Sequence, residues 1–182
     1  MPVIRAQSIL AGAAVGSQIP AFVPPRLLRN RHVMTLMPRY WSRGVLLAGL
    51  PCERRLFRIT PDTQLAGYCH WQPNRRASQT ALLLHGLEGC CDSHYMHGIA
   101  AKAYAAGLNV VRMNQRTCGG TEHLSPTLYN SGLSADYRIV IRQLAQAEGL
   151  ERIWLIGYSM GARVSAFLAL LVLSQVDAGS DE

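Results

Sequence analysis

The segment Gly157-Tyr158-Ser159-Met160-Gly161 constrains the fold of this chain more than any other. It follows the apolar run 153–156 and precedes a helix-forming stretch, residues 162–176. A serine on a tight strand-to-helix turn needs small neighbours, because the backbone is strained there and two chain segments approach closely. The pattern therefore predicts a nucleophile elbow, in which Ser159 is exposed between a buried strand and the N-terminus of a helix.

Short apolar runs alternate with helical patterns along most of the chain. Continuously apolar runs are typical of strands that are buried on both faces of a sheet. Their alternation with helices predicts an α/β fold, with a mostly parallel sheet and helices on both faces. The predicted strands are residues 55–60, 66–71, 80–84, 108–113 and 153–156, and the predicted helices are residues 92–106 and 137–149.

The positive charge is concentrated towards the N-terminus. The net charge is +7, and residues 1–60 hold nine arginines against one acidic residue, Glu53. Prolines break the first forty residues into short pieces. We therefore predict an N-terminal basic extension, residues 1–54, that packs on one domain formed by residues 55–182. Contact of this extension with a membrane surface is the alternative. Nothing in it resembles a nucleic-acid-binding motif, so no nucleic-acid partner is expected.

The cysteines and the apolar runs bear on the compartment. The five cysteines are an odd number and lack the spacing of a metal site. No apolar run reaches the roughly 18–20 residues of a membrane span, and the stretch after Arg5 is a poor secretory signal. We therefore predict a reduced, cytoplasmic protein.

Three segments leave the C-terminal ends of predicted strands, where ligands bind in open α/β sheets. The elbow presents the hydroxyl of Ser159 and the backbone N–H of Met160. The segment 85–89, His-Gly-Leu-Glu-Gly, follows the third predicted strand. Its Leu87 N–H and the Met160 N–H are the predicted donors of an oxyanion hole. His85 is predicted to orient this loop by a hydrogen bond rather than to act in catalysis.

Other polar residues have structural interpretations that we favour over functional ones. Segment 114–120 is either a substrate-side loop or, as we favour, a tight turn with a packed arginine. His94 and His97 lie one helical turn apart near Asp92, but surface positions are favoured over metal ligation because no fourth ligand suggests itself. Asp136 falls in the first turn of a helix, where an acid stabilises the dipole, so a structural role is predicted.

Several motifs occur together and in one order: the segments 85–89, 114–121, 129–133 with Asp136, and 157–161, after a lead-in with residues 22–25, Asn30, His32 and Thr35. In this set the chain resembles the YheT-like branch of the α/β-hydrolase superfamily over roughly residues 20–165. The resemblance implies a partial α/β-hydrolase fold and a serine hydrolase of carboxylic esters that uses no cofactor. It implies a small-molecule or lipid ester, such as an acylglycerol, as substrate. The family usually continues the elbow with glycine and asparagine, where this chain has Ala162 and Arg163. We expect Ala162 to add a Cβ where helix and strand pack closely, and Arg163 to face solvent.

The resemblance also implies that parts of the catalytic machinery are absent. In this family the catalytic acid and histidine follow the elbow in sequence, whereas this chain ends at residue 182. We therefore expect a C-terminally truncated hydrolase that is inactive or nearly so, because a serine without its base is a poor nucleophile. Strand 153–156 is then an exposed edge that favours self-association. The alternative is a non-catalytic interaction protein derived from a hydrolase.

Overall fold

The structure, a computed structural model, describes residues 23–40 and 43–177, so the first 22 residues of the predicted extension and residues 178–182 lie outside this description. Short 3-10 turns occur at Arg26–Leu28, Gly44–Leu47 and Glu122–Leu124. The helices and strands alternate as the sequence pattern predicts. They are α1 (Arg31–Tyr40), β1 (Glu53–Thr60), β2 (Thr63–His70), β3 (Thr80–Leu84), α2 (His94–Ala105), β4 (Asn109–Met113), α3 (Ser134–Glu148), β5 (Ile153–Gly157) and α4 (Met160–Asp177).

The strands form one sheet in the order β1-β2-β4-β3-β5. Strand β2 runs antiparallel to β1 and to β4, whereas β3 is parallel to both β4 and β5. Four strands therefore point the same way, which confirms the predicted mostly parallel sheet. Leu84 is in register with Met113 and with Gly157, so the C-terminal ends of β3, β4 and β5 lie side by side. The loops that follow these strands emerge at one edge of the sheet.

Each face of the sheet is covered by helices, as predicted for an α/β fold. On one face, Leu82 and Leu84 of β3 pack into a cluster with side chains of α3 and α4, among them Val140 and Val164. On the other face, Leu83 packs into a cluster with side chains of α2. Alternate residues of β3 thus enter different cores, which explains why its run is apolar throughout.

The chain divides into two compact units between residues 42 and 43. Residues 43–54, which we predicted to be part of the extension, belong to the second of these units, and the domain boundary at residue 54 stays a prediction. These residues belong to the second unit because of local packing: Leu47, in the turn Gly44–Leu47, is buried in the same cluster as Met96 and Ala100 of α2. The first unit contains α1, whose Val33, Met34 and Leu36 are exposed within it.

Two observations bear on the predicted compartment. In the described part of the chain, no helix has the length and apolarity needed to cross a membrane. All five cysteines lie in that part and are free thiols. Burial raises the pKa of the Cys69 and Cys91 thiols to about 12, so both are protonated and unreactive at neutral pH. The cytoplasmic compartment stays a prediction.

Within the described residues, strand β5 is an edge of the sheet, because it pairs with β3 on one side only. Trp154, the second residue of this strand, is 46% exposed. Unpaired backbone groups beside an exposed apolar side chain are a template for pairing with another chain. We expect the wild-type chain to self-associate as its concentration rises, and Trp154→Lys to raise the dissociation constant about tenfold.

Sedimentation velocity across a concentration series measures this association. Leu128→Lys is the matched control, since Leu128 is also exposed and apolar but lies outside the strands. A wild-type chain that stays monomeric at every concentration contradicts the expectation, as does an equal effect of both substitutions.

Candidate active site

The turn between β5 and α4 places Ser159 in an uncommon backbone conformation. Its φ is +52°, in the left-handed region, which costs a residue with a side chain about 1–2 kcal/mol. Hydrogen bonds from Gly161 N–H to the Tyr158 carbonyl (2.8 Å) and from Ala162 N–H to the Ser159 carbonyl (3.0 Å) close the turn. Tyr158 N–H also donates to the Leu84 carbonyl at 3.0 Å, which ties the turn to the end of β3.

The two glycines of this turn are required by space. A Cβ on Gly157 would overlap the Gly161 carbonyl and lie 2.5 Å from the Ala162 nitrogen. A Cβ on Gly161 would lie 2.6 Å from the His85 carbonyl oxygen and 2.7 Å from that of Leu84. Real Cβ atoms do not approach backbone so closely, so strand, turn and loop pack this tightly only because both positions are glycine.

The two residues after the elbow that differ from the usual family pattern, Ala162 and Arg163, face solvent. We predicted that Ala162 would add a Cβ between helix and strand, which is wrong, because Ala162 is exposed. The close contacts fall on Gly157 and Gly161 instead. Arg163 is exposed as expected, and its guanidinium lies 5.7 Å from the ring centroid of Phe167.

The loop after β3 reaches the serine. A Cβ on Gly86 would lie 3.1 Å from Cβ and 3.7 Å from Oγ of Ser159, so the two segments are in close contact. The Leu87 side chain is 67% exposed. In the described part of the chain, neither the Leu87 N–H nor the Met160 N–H donates a hydrogen bond. The structure thus brings together the segments that carry the three predicted site residues.

His85 holds this loop against the next one. Its Nε2 accepts the Gln115 N–H at 3.1 Å, and its Nδ1 lies 2.7 Å from the Gly86 carbonyl oxygen. This pair of contacts assigns the proton to Nδ1. Burial lowers the pKa of His85, although the hydrogen bond to Gly86 opposes the shift. With both ring nitrogens engaged, His85 orients the loop as predicted.

The pKa shifts of the buried histidines predict a pH dependence of stability. Burial lowers the pKa of His85 and of His70, so in both cases the unfolded chain binds the proton more readily than the folded chain. Their contribution is complete above about pH 6.5 and is lost as the pH falls through their folded pKa values. We expect the melting temperature to fall between about pH 7 and pH 5, where carboxylates contribute little.

Differential scanning fluorimetry across this pH range makes the measurement. His85→Asn keeps a donor for the Gly86 carbonyl but does not titrate, so the fall should be smaller in this variant. A melting temperature that is constant or rises towards pH 5 contradicts the prediction.

Segment 114–120 is the predicted tight turn with a packed arginine. Arg116 donates two hydrogen bonds to the carboxylate of Asp136, from Nε and from Nη2, each of 2.7 Å. It donates a third, from Nη1, to Thr127 Oγ1 at 2.7 Å. Thr117 has a φ of +58°, in the left-handed region that is found mainly in tight turns. Asp136 is buried and has the structural role predicted for it, but through this ion pair rather than through the helix dipole alone.

His97 of α2 and His70 of β2 have structural partners. His97 Nε2 lies 3.0 Å from Asp92 Oδ1, which also accepts a hydrogen bond of 2.9 Å from Arg112. Burial on its own raises the pKa of Asp92, but these hydrogen bonds outweigh it and the pKa is lowered. His70 is buried, with Nδ1 3.0 Å from the Pro51 carbonyl. Among the described residues, no three metal-binding side chains cluster.

Two residues that contact the loop after β3, Tyr95 and Tyr129, were not predicted from the sequence. Tyr95 of α2 accepts the Gly86 N–H at 3.0 Å, and Tyr129 accepts the Glu88 N–H at 3.0 Å. Tyr129 belongs to the motif 129–133, which could have indicated a role at the site. No sequence motif indicated such a role for Tyr95. No hydrogen bond joins Ser159 Oγ to a histidine or a carboxylate anywhere in residues 23–40 and 43–177.

Comparison with known proteins places this geometry in a family. The family described as the alpha/beta hydrolase fold matches residues 81–178. The Escherichia coli K12 protein named "Putative esterase YheT" is 31% identical over 150 residues, which are 81% of this chain and 43% of that protein. The chain thus spans less than half the length of this curated relative.

Solved structures with the same fold include three hydrolases. An α/β serine hydrolase homologue from Coxiella burnetii is 26% identical, with a TM-score of 0.55 over 64% of this chain and 56% of that one. A Pyrococcus furiosus esterase is 23% identical, with a TM-score of 0.57 over 70% and 48%. A serine hydrolase without a lid from Xanthomonas campestris is 23% identical, with a TM-score of 0.56 over 67% and 57%. The chain belongs to the α/β-hydrolase fold family and is similar to YheT within it.

Proposed function

We propose that this chain carries the nucleophile and the oxyanion hole of a carboxylic-ester hydrolase. Ser159 is the nucleophile, and the N–H groups of Leu87 and Met160 bind the oxyanion. The observation that supports this most is the left-handed turn at Ser159, at the N-terminus of α4, with Gly86 packed against its side chain. In a nucleophile elbow such a turn exposes the serine hydroxyl, and the N–H groups of the following residue and of the loop after β3 are the expected oxyanion donors.

The proposed reaction is acyl transfer to Ser159. The Ser159 Oγ bonds to the ester carbonyl carbon, the carbonyl oxygen becomes an oxyanion, and the alcohol leaves with the serine proton. Water then hydrolyses the acyl-serine to the carboxylic acid and restores the hydroxyl. The chemistry uses no cofactor. The substrate is proposed to be a small-molecule or lipid ester, in line with the name of the related YheT protein.

We also propose that the 182-residue chain by itself is inactive or nearly so. The Ser159 hydroxyl has no histidine partner in the described residues, and both ring nitrogens of nearby His85 are engaged elsewhere. A serine hydroxyl without a general base is a poor nucleophile. Oxyanion donors and binding alone leave about 10³–10⁴-fold catalysis over water, a small part of the effect of a complete triad.

A fluorophosphonate probe tests both statements. Intact-mass measurement is expected to show one slowly formed adduct, mapped to Ser159 and absent in Ser159→Ala. Ser165→Ala is the matched control, because this serine lies in α4, the helix that directly follows Ser159, and donates to the Gly161 carbonyl. An adduct that persists in Ser159→Ala contradicts the assigned nucleophile. Rapid labelling that depends on Ser159 contradicts the proposed inactivity and means that a base is present.

A second function is a non-catalytic interaction protein, which the open edge of β5 favours. The exposed Trp154 and the one-sided pairing of this strand offer a surface to a partner strand. Binding that survives Ser159→Ala but is lost in Trp154→Lys or after removal of residues 1–40 supports this function. A partner that competes with the fluorophosphonate probe for Ser159 argues against it.

A further inference from the structure

Two tyrosine hydroxyls from different parts of the chain hold the loop that follows β3. The Gly86 N–H donates to the Tyr95 hydroxyl oxygen at 3.0 Å, and the Glu88 N–H donates to that of Tyr129 at 3.0 Å. The N–H between them, on Leu87, donates to no group in the described residues. Of these three successive N–H groups, those of Gly86 and Glu88 are hydrogen-bonded, and that of Leu87 has no acceptor in the described residues.

The loop needs such support because its backbone is strained. Glu88 has a φ of +55°, in the left-handed region that non-glycine residues seldom adopt. This conformation costs about as much free energy as one hydrogen bond contributes to stability. The hydrogen bond to Tyr129 is therefore large enough to offset much of the strain in the loop.

Both tyrosines are themselves fixed. The Tyr129 segment is tied down by Arg116, which donates to Thr127 Oγ1 at 2.7 Å while it is paired with the buried Asp136. The Tyr95 ring packs on the Tyr158 ring, with centroids 4.8 Å apart. Tyr158 directly precedes Ser159, so Tyr95 contacts the loop through its hydroxyl and the elbow through its ring. Tyr95 therefore fixes the loop and the segment that carries Ser159 relative to each other.

We propose that Tyr95 and Tyr129 are positioning residues for the oxyanion hole. Their hydroxyls accept hydrogen bonds from the N–H groups of Gly86 and Glu88 and hold the loop so that, of its three successive N–H groups, only that of Leu87 stays available for an oxyanion. The proposal rests on the proposed function. Neither hydroxyl is assigned a contact with substrate, and each acts through the loop backbone.

Amide hydrogen exchange, followed by NMR on the full chain, tests the positioning. Tyr129→Phe should speed exchange of the Glu88 amide about fivefold and leave Gly86 unchanged, and Tyr95→Phe should do the reverse. Tyr104→Phe is the control, because its hydroxyl donates to the Trp71 carbonyl instead. It should change neither amide. Unchanged exchange at Gly86 and Glu88 in the tyrosine variants overturns the proposal, as does a Leu87 amide as protected as its neighbours.

Phenylboronic acid provides a readout that a purely structural role would not move. Its boron bonds to a serine Oγ, the hydroxyl proton passes to water, and the tetrahedral anion mimics the oxyanion. In the wild type the Leu87 amide should shift on binding, and Tyr129→Phe should weaken binding about fivefold, whereas the control Tyr104→Phe should bind as tightly as the wild type. Equal affinity in wild type, Tyr95→Phe and Tyr129→Phe overturns the positioning role. Failure of the wild type to bind, or binding kept in Ser159→Ala, contradicts the proposed function, and the exchange pattern alone then decides the role of the tyrosines.

Discussion

Gly157→Ala is expected to cost at least about 3 kcal/mol of the free energy of unfolding, a large share of the roughly 5–15 kcal/mol of an ordinary domain. The added Cβ would overlap the carbonyl of Gly161 and the nitrogen of Ala162. Both are backbone atoms in the first turn of α4, so no side-chain rotation relieves the overlap. Either the helix moves away from β5 or the turn opens, and both remove packing around Ser159.

Urea denaturation of wild type and variant measures this cost. Gly107→Ala is the informative control, since Gly107 has a φ of +85° but nothing within 4 Å of the added Cβ. It should lose only about 1 kcal/mol, the cost of the left-handed conformation. If Gly157→Ala is no more destabilising than Gly107→Ala, the close approach of strand, turn and helix is contradicted.

Asp136→Ala is expected to destabilise the chain by about 3–5 kcal/mol, because it leaves the largely buried guanidinium of Arg116 without its carboxylate. The side chains of this pair are 13% and 5% exposed, and two hydrogen bonds of 2.7 Å join them. Solvent therefore does little to compensate for the lost partner. The turn 114–120 and the Tyr129 segment, which Arg116 ties to α3 through Thr127, should loosen together.

A double-mutant cycle separates the ion pair from simple loss of packing. Arg116→Leu combined with Asp136→Leu should be less destabilising than Asp136→Leu alone, because no uncompensated charge is left buried. Additive effects of the two substitutions contradict a direct coupling, and an Asp136→Ala variant within about 1 kcal/mol of wild type contradicts the structural role.

The strands and the elbow turn could be predicted because their signals are local. Strand β3 sends alternate residues into two cores, and a continuous apolar run is the direct consequence. The turn at Ser159 needs glycine at Gly157 and Gly161, and both are visible in the sequence. The helix α3 ends at Glu148 and is capped by Gly149, whose φ of +66° is the left-handed conformation that glycine favours.

Contacts between distant segments could not be predicted in the same way. Arg116 and Asp136 looked like a turn residue and a helix-dipole residue, and only the fold shows that they bind each other. The Tyr129 hydroxyl lies 41 residues along the chain from the Glu88 amide that it accepts from. Ala162 was misplaced because one residue along a helix turns a side chain by about 100°, from the strand side to solvent.

The central claim is that an oxyanion on the group bound to Ser159 meets the N–H groups of Leu87 and Met160. The most direct test is the ¹H–¹⁵N spectrum of the chain after prolonged reaction with a fluorophosphonate, compared with the unmodified chain and with Ser159→Ala. We expect an adduct on Ser159 and downfield amide-proton shifts of Leu87 and Met160, because both donate to the phosphonyl oxygen in the proposed oxyanion hole. An adduct on Ser159 that leaves both amides unmoved, or the failure of any adduct to form there, would contradict it.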